Sequence, residues 1–257
     1  MLKLHHRENK MNSSPTLSSS PFTSAHGRAH IVKILLIVGV VTTGMSLLAE
    51  ALSIAFPPPG DDQELGDNLI GTVITLAVFL LAVLDLIVYL STIVFFLLWL
   101  YRAHKNLRAF DPWCRTAYSA GMTVGSFFIP FVNLAVPYIA VKEVWQKSRL
   151  REDAQLSEPS PPGWFPIWWL FWLLASFAGN ISLRMSFNEN VSESTATTVS
   201  LIADVLHIVA AMFVYLVVDG IDRRQEEASA KAKLGRFSGP PPPPANLPMT
   251  DVLMPTP

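Results

Sequence analysis

The sequence predicts an all-α integral membrane protein: four transmembrane helices plus a fifth hydrophobic segment, broken by proline, that is re-entrant or kinked. Three observations carry this expectation. Charged residues make up 15% of the 257 residues and apolar ones 51%, whereas a soluble domain carries about 25% charged residues. The mean hydropathy is +0.37. The apolar residues are gathered into long runs, and about 20 such residues in a helix cross the ~30 Å of a bilayer core.

The same numbers exclude function classes. A net charge of -1 offers nucleic acid no general attraction, so no such partner is expected. One cysteine, Cys114, allows neither an internal disulfide nor a thiolate metal cage. The chain has no G-x-S-x-G, no H-E-x-x-H, no Walker loop and no Cys/His nucleophile pair. His5, His6, His26 and His30 are too irregularly spaced for a metal site. The expectation is no cofactor, no metal, and a bias away from catalysis.

Residues 1–30 are rich in Ser, His, Asn and Pro; they read as a disordered cytoplasmic tail, because they cannot bury enough surface to offset ordering entropy. The membrane domain then occupies 31–224. Ile31–Phe56 is its first apolar run, interrupted by Lys33 and Glu50, which a helix places about 25 Å apart, near opposite faces of the bilayer. Ala49-Glu50-Ala51 resembles a signal-peptide cleavage site, but the apolar stretch is too long for that. Residues 57–68 form an acidic, turn-rich loop. Leu69–Leu100 carries one charge, Asp85, and ends at the interface anchors Trp99 and Tyr101. Ala117–Val141 is apolar but contains Pro130, Asn133 and Pro137, which remove backbone donors and break a helix. Trp164–Leu183 opens with four tryptophans that read as belt and packing, and Ala175-x-x-x-Gly179 permits close helix contact. Val199–Val218 is the last run. Residues 225–257 read as a Pro-rich, disordered cytoplasmic tail, in which Pro240–Pro244 is able to form a polyproline II helix.

Charge distribution bears on the fifth segment. With five crossings, the two sides would hold 10 and 9 Lys and Arg; with four, 18 and 1. Basic residues collect in cytoplasmic loops. The partition therefore favours four crossings, both termini in the cytoplasm of a cell-membrane protein, and a segment that returns to its own side. A non-helical dip is tolerated where its freed backbone groups are buried. A fifth helix kinked at Pro130 and Pro137 is the alternative.

Three ordered motifs carry a resemblance. Trp99-Leu100-Tyr101-Arg102-Ala103-His104-Lys105-Asn106-Leu107 is the first. Phe128-Ile129-Pro130-Phe131-Val132-Asn133-Leu134, with Pro137-Tyr138 and Lys142-Glu143-Val144-Trp145, is the second. Trp168-Trp169 with Asn180-Ile181-Ser182 and Arg184 is the third. Together they resemble a bacterial multi-pass membrane family catalogued as domain of unknown function 4328, over roughly residues 70–225. The resemblance implies a membrane protein and no particular activity.

Two constellations could carry chemistry. Counting helix rise from the basic ends of the runs puts Asp85, Asn180, Asp204 and His207 at similar depth, with Arg184 at the outer boundary. Intramembrane carboxylates are costly and seek partners. This polar cluster reads either as an interhelical clamp, with Arg184 paired to Asp204, or as an ion or proton site using Asp85 and Asp204. At the other face, Trp99, Tyr101, Arg102, Lys105, Asn106 and Arg108 form a basic-aromatic group, with Trp113, Arg115 and Trp145 nearby in sequence, and the broken segment offers Pro130, Asn133, Pro137, Tyr138, Glu143 and Trp145. Such groups suit the lipid bilayer surface, anionic headgroups or a membrane protein partner, and also serve as plain topology charge. Asn106 shares a helix face with Trp99 and Arg102, and Asn133 and Tyr138 are its expected polar partners. The leading expectation is a non-enzymatic lipid- or partner-binding membrane protein; the alternative is a small ion or solute transporter.

Overall fold

The computed structural model describes residues 21–56, 69–150, 153 and 160–237. The acidic loop 57–68, the first part of the N-terminal tail and the Pro240–Pro244 run lie outside the described residues. Among the described residues every regular element is helical: α1 (His26–Ala55), α2 (Leu69–Phe110), α3 (Ala120–Gly125), a 3-10 turn (Val132–Leu134), α4 (Val136–Lys147), α5 (Phe165–Ser186) and α6 (Glu193–Phe237). Among these, α1, α2, α5 and α6 are long and apolar enough to cross a membrane. The chain is an all-helical membrane protein with four candidate spans.

α1 packs along α2, α5 packs along α6, and α1 joins the two pairs through α6. The start of α1, the end of α2, the start of α5 and the C-terminal half of α6 meet at one end. Arg28 donates to the Leu98 carbonyl at 3.3 Å, Lys33 pairs with Asp219 at 3.0 Å, and the Trp145 and Phe165 rings lie 6.1 Å apart. Every described Lys and Arg except Arg184 belongs to this basic end. The buried core is here too: Val32, Trp99, Leu100, Leu107, Val141, Val144, Phe165, Trp168, Val217 and Ile221 exclude water almost completely. Elsewhere the spans show wide apolar faces, as lipid-facing helices must.

The fifth apolar segment is a hairpin, not a kinked span. Ser119 caps α3 by accepting the Met122 N–H at 3.1 Å. The chain turns at residues 126–135 and returns as α4, whose first turn holds Pro137. There the missing N–H costs nothing, so Pro137 starts a helix rather than bending one. The two ends of the hairpin meet: both Glu143 carboxylate oxygens accept the Ala117 N–H, at 2.9 and 3.0 Å, and Lys147 donates to the Arg115 carbonyl. The tip reaches Phe96 and Trp172 through Phe127. Trp172 is two turns along α5 from Trp164, about 12 Å, so Phe127 lies well short of the far end of α5 at Ser186.

Both expected tails are shorter than composition suggested. α1 begins at His26, not at residue 31, and Phe22–Ala25 docks ahead of it: Phe22 meets the Phe110 ring at 5.3 Å and Ser24 donates to Glu226 at 2.5 Å. α6 continues to Phe237, past residue 224. Polar side chains on other helices hold these segments, and periodicity does not reveal such partners.

Candidate functional site

The basic-aromatic residues divide into two groups with different surroundings. Trp99 is fully buried, and its indole Nε1 has no hydrogen-bond partner among the described residues. Asn106 is 1% exposed. Its amide donates to the Gln225 side-chain oxygen and to the Thr23 carbonyl, both at 3.0 Å. Gln225 in turn donates to the Ala103 carbonyl at 2.8 Å and to Ser148 Oγ at 3.0 Å. Asn133 and Tyr138 are therefore not the partners of Asn106: α6 extends far enough to supply Gln225 in their place. This buried network joins the N-terminal segment, α2, α6 and the residue after α4. A satisfied network of this kind fixes one packing, and each of its groups is costly to strand. Arg102 also turns inward, donating to the Thr23 carbonyl at 3.2 Å.

The second group faces outward. Tyr101, Lys105 and Arg108 are exposed, and their i, i+4, i+7 spacing puts them on one face of α2. The same face continues back through exposed Leu98, Val94, Leu90 and Ile87. The Lys105 ammonium lies 4.9 Å from the Tyr101 ring centroid. One helical stripe thus passes from aliphatic, through tyrosine, to two cations. Trp113 and Arg115 are exposed beyond it.

The broken segment is built as a closed turn. Val132 N–H bonds the Pro130 carbonyl at 2.7 Å, and Phe131 between them has φ 63°, the geometry of a γ-turn that a side chain adopts only under strain. Asn133 donates to the Phe127 carbonyl at 3.3 Å and Trp169 to the Leu134 carbonyl at 3.0 Å. Backbone groups freed by the turn are thereby satisfied away from water. Tyr138 packs on Phe165 and Trp169, at 6.1 and 6.5 Å between centroids. Outside the spans, burial pushes the half-buried Cys114 thiol up from its ordinary value.

The intramembrane cluster is smaller than depth alone predicts, and it has members the sequence reading missed. Thr42 and Ser46 of α1 donate to the two oxygens of Asp85, Ser46 at 3.0 Å. Glu50 and Asp85 are the charged groups whose fields act on Asp204. His207 sits edge-on to Tyr89 at 5.8 Å, and a Cβ at Gly179 would lie 3.5 Å from it, the close α5–α6 approach that small residues permit. Asn180 is exposed and donates to the Ser176 carbonyl of its own helix at 2.8 Å. Arg184 is exposed and makes no ion pair with any described residue. The Arg184–Asp204 clamp is absent. Three carboxylates from three helices thus act on one another, with His207 beside them. Among the described residues, no group of three or more His, Cys, Asp or Glu converges as a metal cage.

Comparison with known proteins supplies the family. A family model described as a domain of unknown function, DUF4328, matches residues 67–223. The chain belongs to this family. No curated protein and no solved structure matches it. The DUF4328 region starts just before α2 and ends within α6, so α1, with Thr42, Ser46 and Glu50, lies outside it. Inside it, the residues through which the sequence resembles DUF4328 build the hairpin and its seat. Pro130, Asn133 and Pro137 make the turn, Glu143 latches its base, and Trp99, Asn106 and Trp145 are buried at the basic end.

Proposed function

We propose that this DUF4328 protein is a non-enzymatic, multi-pass protein of the cell membrane, with its basic end in the cytoplasm, that binds anionic lipid headgroups there. The supporting observation is the α2 stripe. Ile87, Leu90, Val94 and Leu98 face lipid, Tyr101 sits where tyrosine belts sit, and Lys105 and Arg108 follow at headgroup height. Each cation near an anionic surface contributes about 1 kcal/mol.

The test is native mass spectrometry of the full chain released from nanodiscs of phosphatidylglycerol or phosphatidylcholine. Retained phosphatidylglycerol should exceed retained phosphatidylcholine. The pair Lys105→Gln and Arg108→Gln should reduce that excess about tenfold. Equal retention of both lipids rejects headgroup binding, and a copurifying membrane protein lost in the same variant would assign the face to a protein partner.

A second reading rests on the carboxylates. Glu50, Asp85 and Asp204, from three helices, act on one another electrostatically with His207 beside them, an arrangement suited to holding a proton or cation within the membrane. In proteoliposomes, a proton or cation flux that Asp204→Asn abolishes would favour transport.

A further inference from the structure

Among the described residues, Arg224 is a half-buried cation in unusual surroundings. Lys33, Lys147, Arg223 and Lys231 each have a carboxylate partner, at 3.0, 2.5, 2.8 and 3.4 Å. Arg224 has no hydrogen bond or ion pair with any described residue. It is nonetheless held in place. Its guanidinium carbon lies 3.7 Å from the centroid of the Trp145 ring, and Trp145 is 7% exposed, fixed by Phe165 and the core. Stacking on a buried indole favours a guanidinium and fixes its plane. The half-buried side chain keeps a buried Nε donor that has no acceptor. Leaving such a donor dry is unfavourable. Gln225, the next residue, donates to Ser148 Oγ at 3.0 Å, which brings Arg149, just after α4, into the neighbourhood of Arg224; Arg149 also donates to the Asp153 carbonyl at 3.5 Å, and exposed Glu227 is the acidic group whose field acts on Arg224.

We propose that Arg224 and Arg149, with Trp145 as platform, form a binding site for a phosphate group. A planar guanidinium fork matches two phosphate oxygens, and a second guanidinium in the same neighbourhood adds to the attraction for an anion. Arg224 lies five residues beyond Asp219, the partner of Lys33, which is about 8 Å of helix rise. That height suits either a phospholipid phosphodiester or free phosphate from solution. The site is separate from Lys105 and Arg108 and does not depend on the reading of the α2 stripe.

The experiment uses the full chain in two arms. In zwitterionic detergent, inorganic phosphate is titrated at constant ionic strength by calorimetry and thermal shift, with chloride as control. In nanodiscs, retention of phosphatidylglycerol is compared with phosphatidylcholine by native mass spectrometry. Response in the first arm alone assigns free phosphate; response in the second alone assigns the headgroup; either supports the site. Arg224→Gln should weaken the responding arm about tenfold, with Arg224→Lys between it and wild type. The pair Lys105→Gln and Arg108→Gln should leave inorganic phosphate binding unchanged. Silence of the wild-type chain in both arms overturns the site, as does equal binding by Arg224→Gln or Arg224→Lys.

Discussion

Glu143 binds the backbone of Ala117, 26 residues earlier, with both of its carboxylate oxygens at 2.9 and 3.0 Å. The contact closes the base of the α3–α4 hairpin, and Lys147 reinforces it at 2.5 Å from Glu143. Glu143→Ala removes both interactions and leaves the Ala117 N–H to find water. The expected cost is about 1–3 kcal/mol, with Glu143→Gln milder because its amide oxygen still accepts. Thermal unfolding in detergent measures this, and equal stability of all three chains would mean that the latch does not hold the hairpin.

A hairpin that returns to its own end fixes which loops share a compartment. In a Cys114→Ser background, single cysteines at Arg115, Ser160 and Asn188 test this, since all three positions are exposed. The native Cys114 must be removed even though burial raises its thiol and slows its alkylation near neutral pH. Cysteines at 115 and 160 should react from one side of a sealed vesicle and one at 188 from the other. Reaction of 115 and 160 from opposite sides would require a fifth crossing.

The number of spans was legible because apolar runs of membrane length have few other uses. The hairpin was legible because Lys and Arg partition one way only if the fifth segment returns. The ends of the domain were not. Thr23, Ser24, His26 and Gln225 lie in stretches of polar composition, and interhelical bonds made only after assembly hold them. The intramembrane cluster was half legible. Helix rise gives a residue's height but not its bearing around the axis, so Asn180 matched in depth and Arg184 one turn above it was expected to lean in, yet both side chains are exposed. The polar stripe Thr42, Ser46 on α1, at i, i+4, was the available signal for the partners of Asp85.

Asn106 and Gln225 should be coupled. Each is nearly fully buried and they share a 3.0 Å bond. Asn106→Leu strands the Gln225 oxygen and leaves the Thr23 carbonyl with Arg102 alone; Gln225→Leu strands an Asn106 amide proton and takes a donor from Ser148 Oγ and from the Ala103 carbonyl. Each single change should cost about 1–3 kcal/mol. The double should cost less than the sum by about 0.5–3 kcal/mol, because the shared bond is lost only once. Additive losses in a double-mutant cycle would separate the two residues energetically.

Arg184 and Asp204 should not be coupled. Arg184 is exposed and unpaired among the described residues, while Asp204 responds to Glu50 and Asp85. In a cycle of Arg184→Leu and Asp204→Leu, the interaction energy should fall within about 0.3–0.5 kcal/mol of zero, the additivity of independent sites. Asp204→Asn should stabilise the chain by easing carboxylate repulsion. A larger coupling, or a destabilised Asn variant, would restore the clamp.

Phe131 sets two effects against each other. Its φ of 63° places it where a side chain is strained by about 1–3 kcal/mol. Glycine adopts that conformation freely, at an entropic cost of roughly 0.5–1 kcal/mol relative to alanine. The ring is 87% exposed, so little protein packing is lost on removing it. In detergent, Phe131→Gly should therefore gain about 1 kcal/mol. In a bilayer the hairpin tip meets acyl chains, and a phenyl ring there contributes about 1.5–3 kcal/mol by burial. The balance then reverses, and the same variant should unfold more readily from proteoliposomes than wild type does. Unfolding both chains in both media measures the sign in each. The same sign in detergent and bilayer would mean that the tip of the hairpin does not enter the hydrocarbon.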